Sequence, residues 1–245
     1  MLPSPPPRVL TFDVVGTLID FETGMLEQLR STAPSAVRRA GEAALLDAFG
    51  RAEHELRSER PELSFTEFLE PAYQRVAAEF ALPSAAGEAA ALRALIPRWP
   101  PFPDAVAALR TLGAHARLVA LTNADRWALA HMSAALGEPF DDAVTADDVG
   151  VGKPDPAMFV HCLGRLIAVG HHRSEVLHVA QSRYHDIATA RELGLRTCWV
   201  RRRAGRPGSG ATPPPLSPAR PDHQVRSLAE LADALTPALQ EARPS

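Results

Sequence analysis

The sequence predicts an α/β fold, in which helices cover both faces of a parallel sheet and further helices form an inserted cap. Four short apolar runs recur along the chain, and helical patterns lie between most of them. Continuous apolar runs separated by helices are typical of parallel sheets that are buried on both faces. The long stretch between the first two runs has a different texture, rich in Ala, Glu, Arg and Leu at helical spacing, and it predicts the cap.

Size and composition narrow the class of protein. The chain has 245 residues, 46% of them hydrophobic and 22% charged, which suits one globular core with an insertion and argues against a disordered or coiled-coil protein. The net charge is −3, and no basic block is interleaved with aromatic residues, so we expect no nucleic-acid partner. No secretion signal or membrane-length apolar run is recognisable, so we expect a cytoplasmic protein that contacts no membrane.

The strands of the core are predicted from the four apolar runs, and the cap from the helical patterns that follow the first run. The predicted strands are Arg8–Phe12, Arg117–Leu121, Glu175–Val179 and Thr197–Val200. Helical spacing in the cap covers Ala36–Arg60 and Phe65–Phe80. Trp99 lies among prolines, where we expect it to pack at the hinge of the cap. The predicted core is therefore residues 1–20 and 100–245, and the predicted cap is residues 21–99.

The remaining core elements follow from capping and breaker signals. Asp104 is expected to cap an amphipathic helix over Ala105–Leu112. The polar stretch from Arg201 to Pro221 is rich in proline and glycine, which predicts a flexible loop without regular structure beside the working edge of the sheet. Helical periodicity returns over Ser227–Glu241, the predicted last helix.

A carboxylate and a glycine turn follow the first predicted strand, in the stretch Phe12-Asp-Val-Val-Gly-Thr-Leu18. Asp13 therefore lies at the carboxyl end of a strand, which makes it a candidate nucleophile. An aspartate that only caps the next turn would explain this fragment equally well.

Polar side chains also follow the other predicted core segments. They are Thr122, Asn123, Lys153, Ser182, His185 and Asp186. Ligands of open parallel sheets bind at the carboxyl ends of the strands, so we expect these groups near Asp13. Each one alone could be a helix cap or a solvated loop residue. Together, a lysine beside Asp13 would keep its carboxylate ionised, and Asp186 or His185 could activate a water against a covalent ester.

The order and spacing of these motifs resemble those of the haloacid dehalogenase superfamily, from Val9 to about Leu231. The motifs are Phe12–Leu18, Leu121–Arg126, Thr145–Pro156 and Leu177–Asp186, and they look most like the type II, 2-haloacid dehalogenase branch. The resemblance implies a Rossmann-like core with a helical cap, a small-molecule substrate and a homodimer.

Two departures from the superfamily's phosphatases bear on the reaction. Those enzymes carry a second aspartate two residues after the nucleophile and an acidic magnesium ligand in the fourth motif, where this chain has Val15 and Gln181. An alkoxide leaving group needs a proton, whereas a halide leaves as a stable anion. A carboxamide is also a poor magnesium ligand compared with a carboxylate. The sequence therefore favours dehalogenation without a metal or other cofactor.

The resemblance implies a role for each site residue. Asp13 attacks a saturated carbon of a small 2-haloalkanoic acid, and water then cleaves the aspartyl ester. Lys153 and Thr17 hold the nucleophile, and Asp186 orients or deprotonates the water. The expected substrate-binding residues are Val15, Thr122, Asn123, Ser182 and His185.

Other positions limit the choice of substrate. Val15 replaces an aromatic residue that is usual in this branch, Phe159 replaces a tyrosine, and Arg183 replaces an asparagine. The branch also has a cap arginine that receives the halide, and its position here cannot be fixed from the motifs. The candidates are Arg30, Arg38, Arg39, Arg51 and Arg57.

Three other interpretations remain open. The chain could hydrolyse another small carboxylate or a phosphate ester, or it could be a non-catalytic binding protein on this fold. The His185-Asp186 pair also occurs in HD phosphohydrolases, which are all-helical, whereas this pair follows an apolar strand. Turnover that depends on Asp13 would separate an enzyme from a binding protein.

Overall fold

The computed structural model describes residues 5–83, 86–215 and 219–241, and at its centre lies a parallel sheet. The described strands are β1 (Val9–Phe12), β2 (Arg117–Leu121), β3 (Asp142–Val144), β4 (Val176–Ala180), β5 (Arg196–Val200) and β6 (His223–Val225). Their order is β3-β2-β1-β4-β5-β6, and each neighbouring pair is parallel. All carboxyl ends therefore lie at one edge, and the predicted α/β fold is confirmed.

Helices surround this sheet and fill the interval between β1 and β2. The described α-helices are α1 (Phe21–Thr32), α2 (Pro34–Ala40), α3 (Glu42–Glu59), α4 (Phe65–Phe80), α5 (Ala86–Ala94), α6 (Ala105–Gly113), α7 (Arg126–Ala135), α8 (Ala146–Val149), α9 (Pro156–Ala168), α10 (Ala188–Glu192) and α11 (Leu228–Glu241). Short turns of other helix types cover Ile96–Arg98, Arg173–Glu175 and Arg183–Ile187. None of the described helices is long and apolar enough to cross a membrane.

Both faces of the sheet are buried because successive strand residues point to opposite sides. Leu10 and Phe12 of β1 join the larger apolar cluster, which includes side chains of α6, α11 and the helices between β1 and β2. Val9 joins the smaller cluster, which includes Met158 and Cys162 of α9. The near-continuous apolar character of the strands follows from this double burial.

Aromatic side chains pack where α1 and α4 approach each other. Trp99 is buried, and its ring centroid lies 6.2 Å from that of Phe21 and 5.8 Å from that of Phe65. Trp99 thus packs against both helices, and its predicted place at the hinge of the cap stays a prediction. The division of the chain into a core and a cap stays a prediction.

Three details of the predicted elements are wrong. The single helix over Ala36–Arg60 is two helices, because Gly41 between them has a φ of 80°, in the left-handed region that favours glycine. Strands β3 and β6 were not predicted, since each has only three residues and includes a polar one. Asp104 precedes α6 without a side-chain capping bond, and its Oδ2 instead accepts a hydrogen bond from the backbone N–H of Leu228 at 2.6 Å.

The proline-rich segment after β5 has no helix or strand in the part of 201–222 that the structure describes, as predicted. It is nevertheless tied to the rest of the molecule. Arg202 donates to the backbone carbonyl of Thr17 at 2.9 Å, Arg203 pairs with Glu22 of α1, and the N–H of Ala211 donates to Glu22 at 2.9 Å. These partly buried contacts bring the segment over the carboxyl edge of the sheet.

Candidate active site

Asp13 follows β1 directly and lies at the centre of the carboxyl edge. Its backbone N–H donates to the carbonyl of Val179 at 3.1 Å, which continues the ladder to β4. The turn then needs Gly16, whose φ is 86°. This turn brings the Thr17 hydroxyl back to donate to Asp13 Oδ2 at 2.6 Å, and the Thr17 oxygen accepts from the N–H of Gln181 at 2.8 Å. Asp13 and Thr17 are therefore held together, as predicted.

Lys153 is buried between two carboxylates. Its Nζ donates to Asp13 Oδ1 at 2.9 Å, to Asp186 Oδ1 at 2.6 Å and to the carbonyl of Leu121 at 2.8 Å. An ammonium has three N–H donors, so all three are used. These three bonds join the ends of β1 and β2 and the turn after β4 at one point.

Asp186 lies behind Lys153 as seen from Asp13, and it is fully buried. His178 of β4 reaches its Oδ1 from Nε2 at 3.0 Å, while the other ring nitrogen of His178 lies 2.9 Å from the hydroxyl of Thr11. An ionised carboxylate can only accept, so Nε2 of His178 carries the hydrogen. Both contacts of Oδ1 are with protein side chains. The predicted water-activating role of Asp186 stays a prediction.

The charges of this cluster shift its pKa values in opposite directions. Burial raises the pKa of Asp186, but the Lys153 ammonium and the His178 hydrogen bond outweigh it and lower the pKa to about 2. Burial raises the pKa of Asp13, to which the charge of Asp186 adds, while Lys153 and Thr17 act against it. Burial acts to lower the pKa of Lys153, and the two carboxylates together raise it. Two carboxylates thus share one ammonium, and Asp186 is the more firmly ionised.

Asn123 positions Lys153 from the end of β2. Its amide nitrogen donates to the carbonyl of Lys153 at 2.8 Å, and its amide oxygen accepts from the N–H of Lys153 at 2.6 Å. The neighbouring Thr122 is fully buried, and its hydroxyl accepts from the N–H of Ala124 at 3.2 Å. Both of these Asn123 hydrogen bonds hold the backbone of Lys153. The substrate-binding roles of Asn123 and Thr122 stay predictions.

Ser182 and His185 form a second polar group after β4. Ser182 Oγ accepts from the N–H of His185 at 2.8 Å and lies 3.1 Å from its Nδ1. On the other side of the ring, His185 Nε2 lies 3.0 Å from Glu53 Oε1 of α3. Both Glu53 and His185 are buried. This pair links α3 to the carboxyl edge of the sheet.

A cavity of about 30 Å³ connects these groups. Its lining consists of Asp13, Val15, Phe21, Glu53, Phe65, Thr122, Asn123, Lys153, Ser182, His185 and Thr212. The lining therefore combines apolar side chains with charged and polar ones. This arrangement places seven of the nine predicted site residues around one small cavity, with Thr17 and Asp186 directly behind two of them.

The structure separates the five candidate arginines. Arg57 is buried, and its Nε lies 3.3 Å from Glu53 Oε1. Its Nη1 donates to the carbonyl of Leu63 at 3.1 Å, and its Nη2 is buried without a hydrogen-bond partner among the described residues. Four of the candidates are exposed, namely Arg30, Arg38, Arg39 and Arg51. Only Arg57 of the five contacts a residue that lines the cavity.

Sequence reasoning missed two buried polar residues of this region. Glu53 follows Phe49 by four residues on the apolar face of α3, a position where a charged side chain is unusual. His178 stands in the middle of an otherwise apolar strand. Buried charged or polar residues need partners, so these interruptions of apolar patterns were the available signal.

Comparison with known proteins identifies the family. Residues 7–194 match the sequence model of haloacid dehalogenase-like hydrolases. This match covers well over half of the chain, and the chain belongs to that family. The resemblance to the haloacid dehalogenase superfamily that the four motifs indicate is therefore confirmed.

One similar curated protein is (S)-2-haloacid dehalogenase 2 of Pseudomonas sp. (strain CBS-3). The two are 36% identical over 96 residues, which are 39% of this chain and 37% of the relative. The chain thus matches about a third to a half of the length of its curated relatives.

Solved structures show the same fold over nearly the whole chain. A crystal structure of a dehalogenase has a TM-score of 0.78 at 24% identity and covers 96% of this chain and 99% of its own. The L-2-haloacid dehalogenase of Xanthobacter autotrophicus, with chloropropionic acid covalently bound, has a TM-score of 0.75 at 20% identity and covers 94% and 98%. At these identities the likeness concerns the fold.

Proposed function

We propose that this protein hydrolyses the carbon–halogen bond of a small 2-haloalkanoic acid through an ester on Asp13. The observation that carries the proposal is the fixed carboxylate of Asp13, with Oδ1 held by Lys153 at 2.9 Å and Oδ2 held by Thr17 at 2.6 Å. It faces a small cavity that has Val15 beside it. The 36% identity to an (S)-2-haloacid dehalogenase supports the same reaction.

The first half-reaction needs a nucleophile that is aligned and ionised. An oxygen of Asp13 attacks the carbon that bears the halogen, and the halide leaves with the electron pair of the broken bond. Fixing the carboxylate on both oxygens reduces the entropy lost on reaching the transition state. No proton has to reach the halide, which agrees with the apolar side chain of Val15 in the cavity wall.

A magnesium ion does not fit the groups around Asp13. The side chain of Val15 offers no oxygen, and the amide oxygen of Gln181 lies 3.5 Å from the hydroxyl of Thr212. The positive charge beside Asp13 is the Lys153 ammonium, which already lies between the two carboxylates. We therefore propose a metal-independent reaction, and we disfavour transfer of a phosphoryl group, whose oxygens usually need a metal to offset their charge.

Arg57 is the proposed anion-binding residue of the predicted cap. Its Nη2 is buried without a hydrogen-bond partner in the described part of the chain, and a buried guanidinium N–H without a partner is costly. A substrate carboxylate or a departing halide would satisfy it.

The test is halide release from (S)-2-chloropropionate and from monochloroacetate, in buffer with EDTA, by the wild type and by Asp13→Ala. We expect the wild type to release chloride in EDTA and Asp13→Ala to release none. Release by Asp13→Ala would show that another group is the nucleophile. No release by the wild type from either acid would contradict dehalogenation of these substrates and favour another small ester or a binding role.

We also propose that the protein is cytoplasmic and that it forms a homodimer. Sedimentation velocity at micromolar concentration measures the oligomeric state. A single species at the monomer mass of 26.4 kDa would contradict it.

A further inference from the structure

His185 lines the cavity, and one of its ring nitrogens, Nε2, faces the Glu53 carboxylate. The residue is only 9% exposed and lines the same cavity as Asp13. Its Nε2 lies 3.0 Å from Glu53 Oε1, which is an ion-pair distance, but it has no aligned hydrogen-bond partner among the described residues. A buried polar nitrogen in this state costs free energy unless a ligand or a water completes it.

The ring of His185 is held in place from its other side. Ser182 Oγ lies 3.1 Å from Nδ1 and also accepts from the backbone N–H of His185 at 2.8 Å. The ring of Tyr184 packs edge-on at a centroid distance of 4.8 Å. The ring that lines the cavity is therefore held with its Nε2 beside the Glu53 carboxylate.

The proposed reaction needs such a group in its second half. A halide leaves without a proton, but hydrolysis of the Asp13 ester releases the alkoxide of a 2-hydroxy acid, which needs one. Val15 cannot donate a proton. The three N–H donors of Lys153 are already engaged, and Asp186 lies behind that lysine and outside the cavity lining.

We propose that His185 carries the proton during hydrolysis of the Asp13 ester, and that Glu53 of α3 is the positioning residue that keeps its imidazole charged when it has taken that proton. This inference rests on the proposed function. Water adds its oxygen to the Asp13 carbonyl carbon and gives its proton to His185 Nε2. The bond between that carbon and the alkyl oxygen then breaks, the electron pair stays on the oxygen, and His185 returns the proton to it. A hydroxy acid and the protonated Asp13 side chain result, and Asp13 then loses its remaining proton to solvent and becomes a carboxylate again.

Glu53 is suited to this supporting role by its charge and its position. Burial acts to raise the pKa of Glu53, but His185 and Arg57 lower it below its usual value, so the carboxylate is ionised near neutral pH. A carboxylate 3.0 Å from Nε2 stabilises the positive charge that the imidazole gains with the proton. The other charged or titratable groups in contact with this pair or lining its cavity are Asp13, Lys153, Arg57 and Tyr184.

The first experiment uses His185→Gln, with His161→Gln as the matched control, because His161 is exposed on α9. Each variant and the wild type are mixed with (S)-2-chloropropionate, quenched at intervals, and assayed for chloride and for intact protein mass. For His185→Gln we expect one equivalent of chloride in a fast burst, followed by turnover at least about 100-fold slower than that of the wild type. The mass of the quenched variant should increase by one propionic acid moiety.

Glu53 is tested by Glu53→Gln and Glu53→Asp. We expect Glu53→Gln to accumulate the same ester, with a lower kcat and a lower KM, because hydrolysis is slowed after an unchanged first step. Glu53→Asp should restore part of the hydrolysis rate. Imidazole in the buffer should accelerate loss of the ester in His185→Ala. A purely structural contact would give neither ester accumulation nor rescue.

Two failures are distinguishable. If the wild type releases no chloride, the proposed function fails and the role of His185 fails with it. If the wild type turns over and His185→Gln matches His161→Gln without ester accumulation, only the role of His185 is overturned. A loss of the chloride burst in folded Glu53→Gln would likewise overturn the role of Glu53 in the second step.

Discussion

At the scale of single residues, the reactivity of Asp13 depends on how one ammonium is shared between two carboxylates. Asp186 takes the shorter bond to Lys153, at 2.6 Å against 2.9 Å for Asp13. Burial and the charge of Asp186 raise the pKa of Asp13, and only Lys153 and Thr17 act against them. The nucleophile is therefore protonated at a higher pH than an exposed aspartate would be.

Thr17→Val removes one of the two groups that lower the pKa of Asp13 while keeping the shape of the side chain. The pKa of Asp13 should rise, so a smaller fraction of Asp13 should be ionised at mildly acid pH. The acid limb of the pH profile of single-turnover chloride release should therefore move to higher pH. We also expect the single-turnover rate to fall about tenfold, since a hydrogen bond to a charged group is lost. Stopped-flow chloride detection across pH measures both effects. Thr17→Ser keeps the hydroxyl and should leave the limb in place; an unmoved limb in Thr17→Val would contradict the argument.

The sequence predicts the residues that lie at strand ends but not those that reach them from elsewhere. Asp13 follows one apolar run directly, and Thr122 and Asn123 follow another, so the topology of a parallel sheet brings them together. Glu53 meets His185 across 132 positions of sequence, and this contact depends on how α3 packs rather than on any local pattern. His178 was visible as a polar residue in an apolar strand, but its partner could not be read from the strand itself.

At the scale of elements, predictions hold where one local signal dominates and fail where packing decides. The helix over Phe65–Phe80 matches α4, because Ser64 and Glu67 form a capping box that fixes its start. Strands β3 and β6 lie at the two edges of the sheet, and each pairs with one neighbouring strand. Nothing in their own three residues identifies them as strands. The packing of α1 is a similar case, since it depends on a close contact that only the structure reveals.

Gly24 of α1 lies against the indole of Trp99, and a Cβ there would be 2.1 Å from Trp99 Cδ1. Gly24→Ala should therefore destabilise the protein by about 1–3 kcal/mol through overpacking, although alanine favours helices. Gly164→Ala in α9 is the matched control, because no atom lies within 4 Å of its added Cβ, and it should stabilise the protein by up to about 1 kcal/mol. Urea unfolding measures both changes. Equal effects of the two substitutions on the free energy of unfolding would show that the Trp99 side chain moves aside at little cost.

At the scale of the whole molecule, the charged cluster holds the centre of the sheet together. Lys153 joins the ends of β1 and β2 and the turn after β4, which are neighbours in the strand order. Removing one partner of such a buried cluster leaves charge uncompensated, which is costly. Global stability should therefore depend on the same ionisation that prepares Asp13 for reaction.

This dependence gives a pH test with a definite sign. The pKa of Asp186 is about 2 in the folded protein, against an ordinary value of 3.8, so its ionised form is favoured by folding. The stability that it contributes is fully present above about pH 4 and is lost as the pH falls toward 2, with a size of about 2 kcal/mol. Urea unfolding of the wild type and of Asp186→Asn should therefore differ most at pH 7, and the difference should narrow across that window. A difference that stays constant from pH 7 to pH 2 would mean that Asp186 stabilises the sheet by its shape and not by its charge.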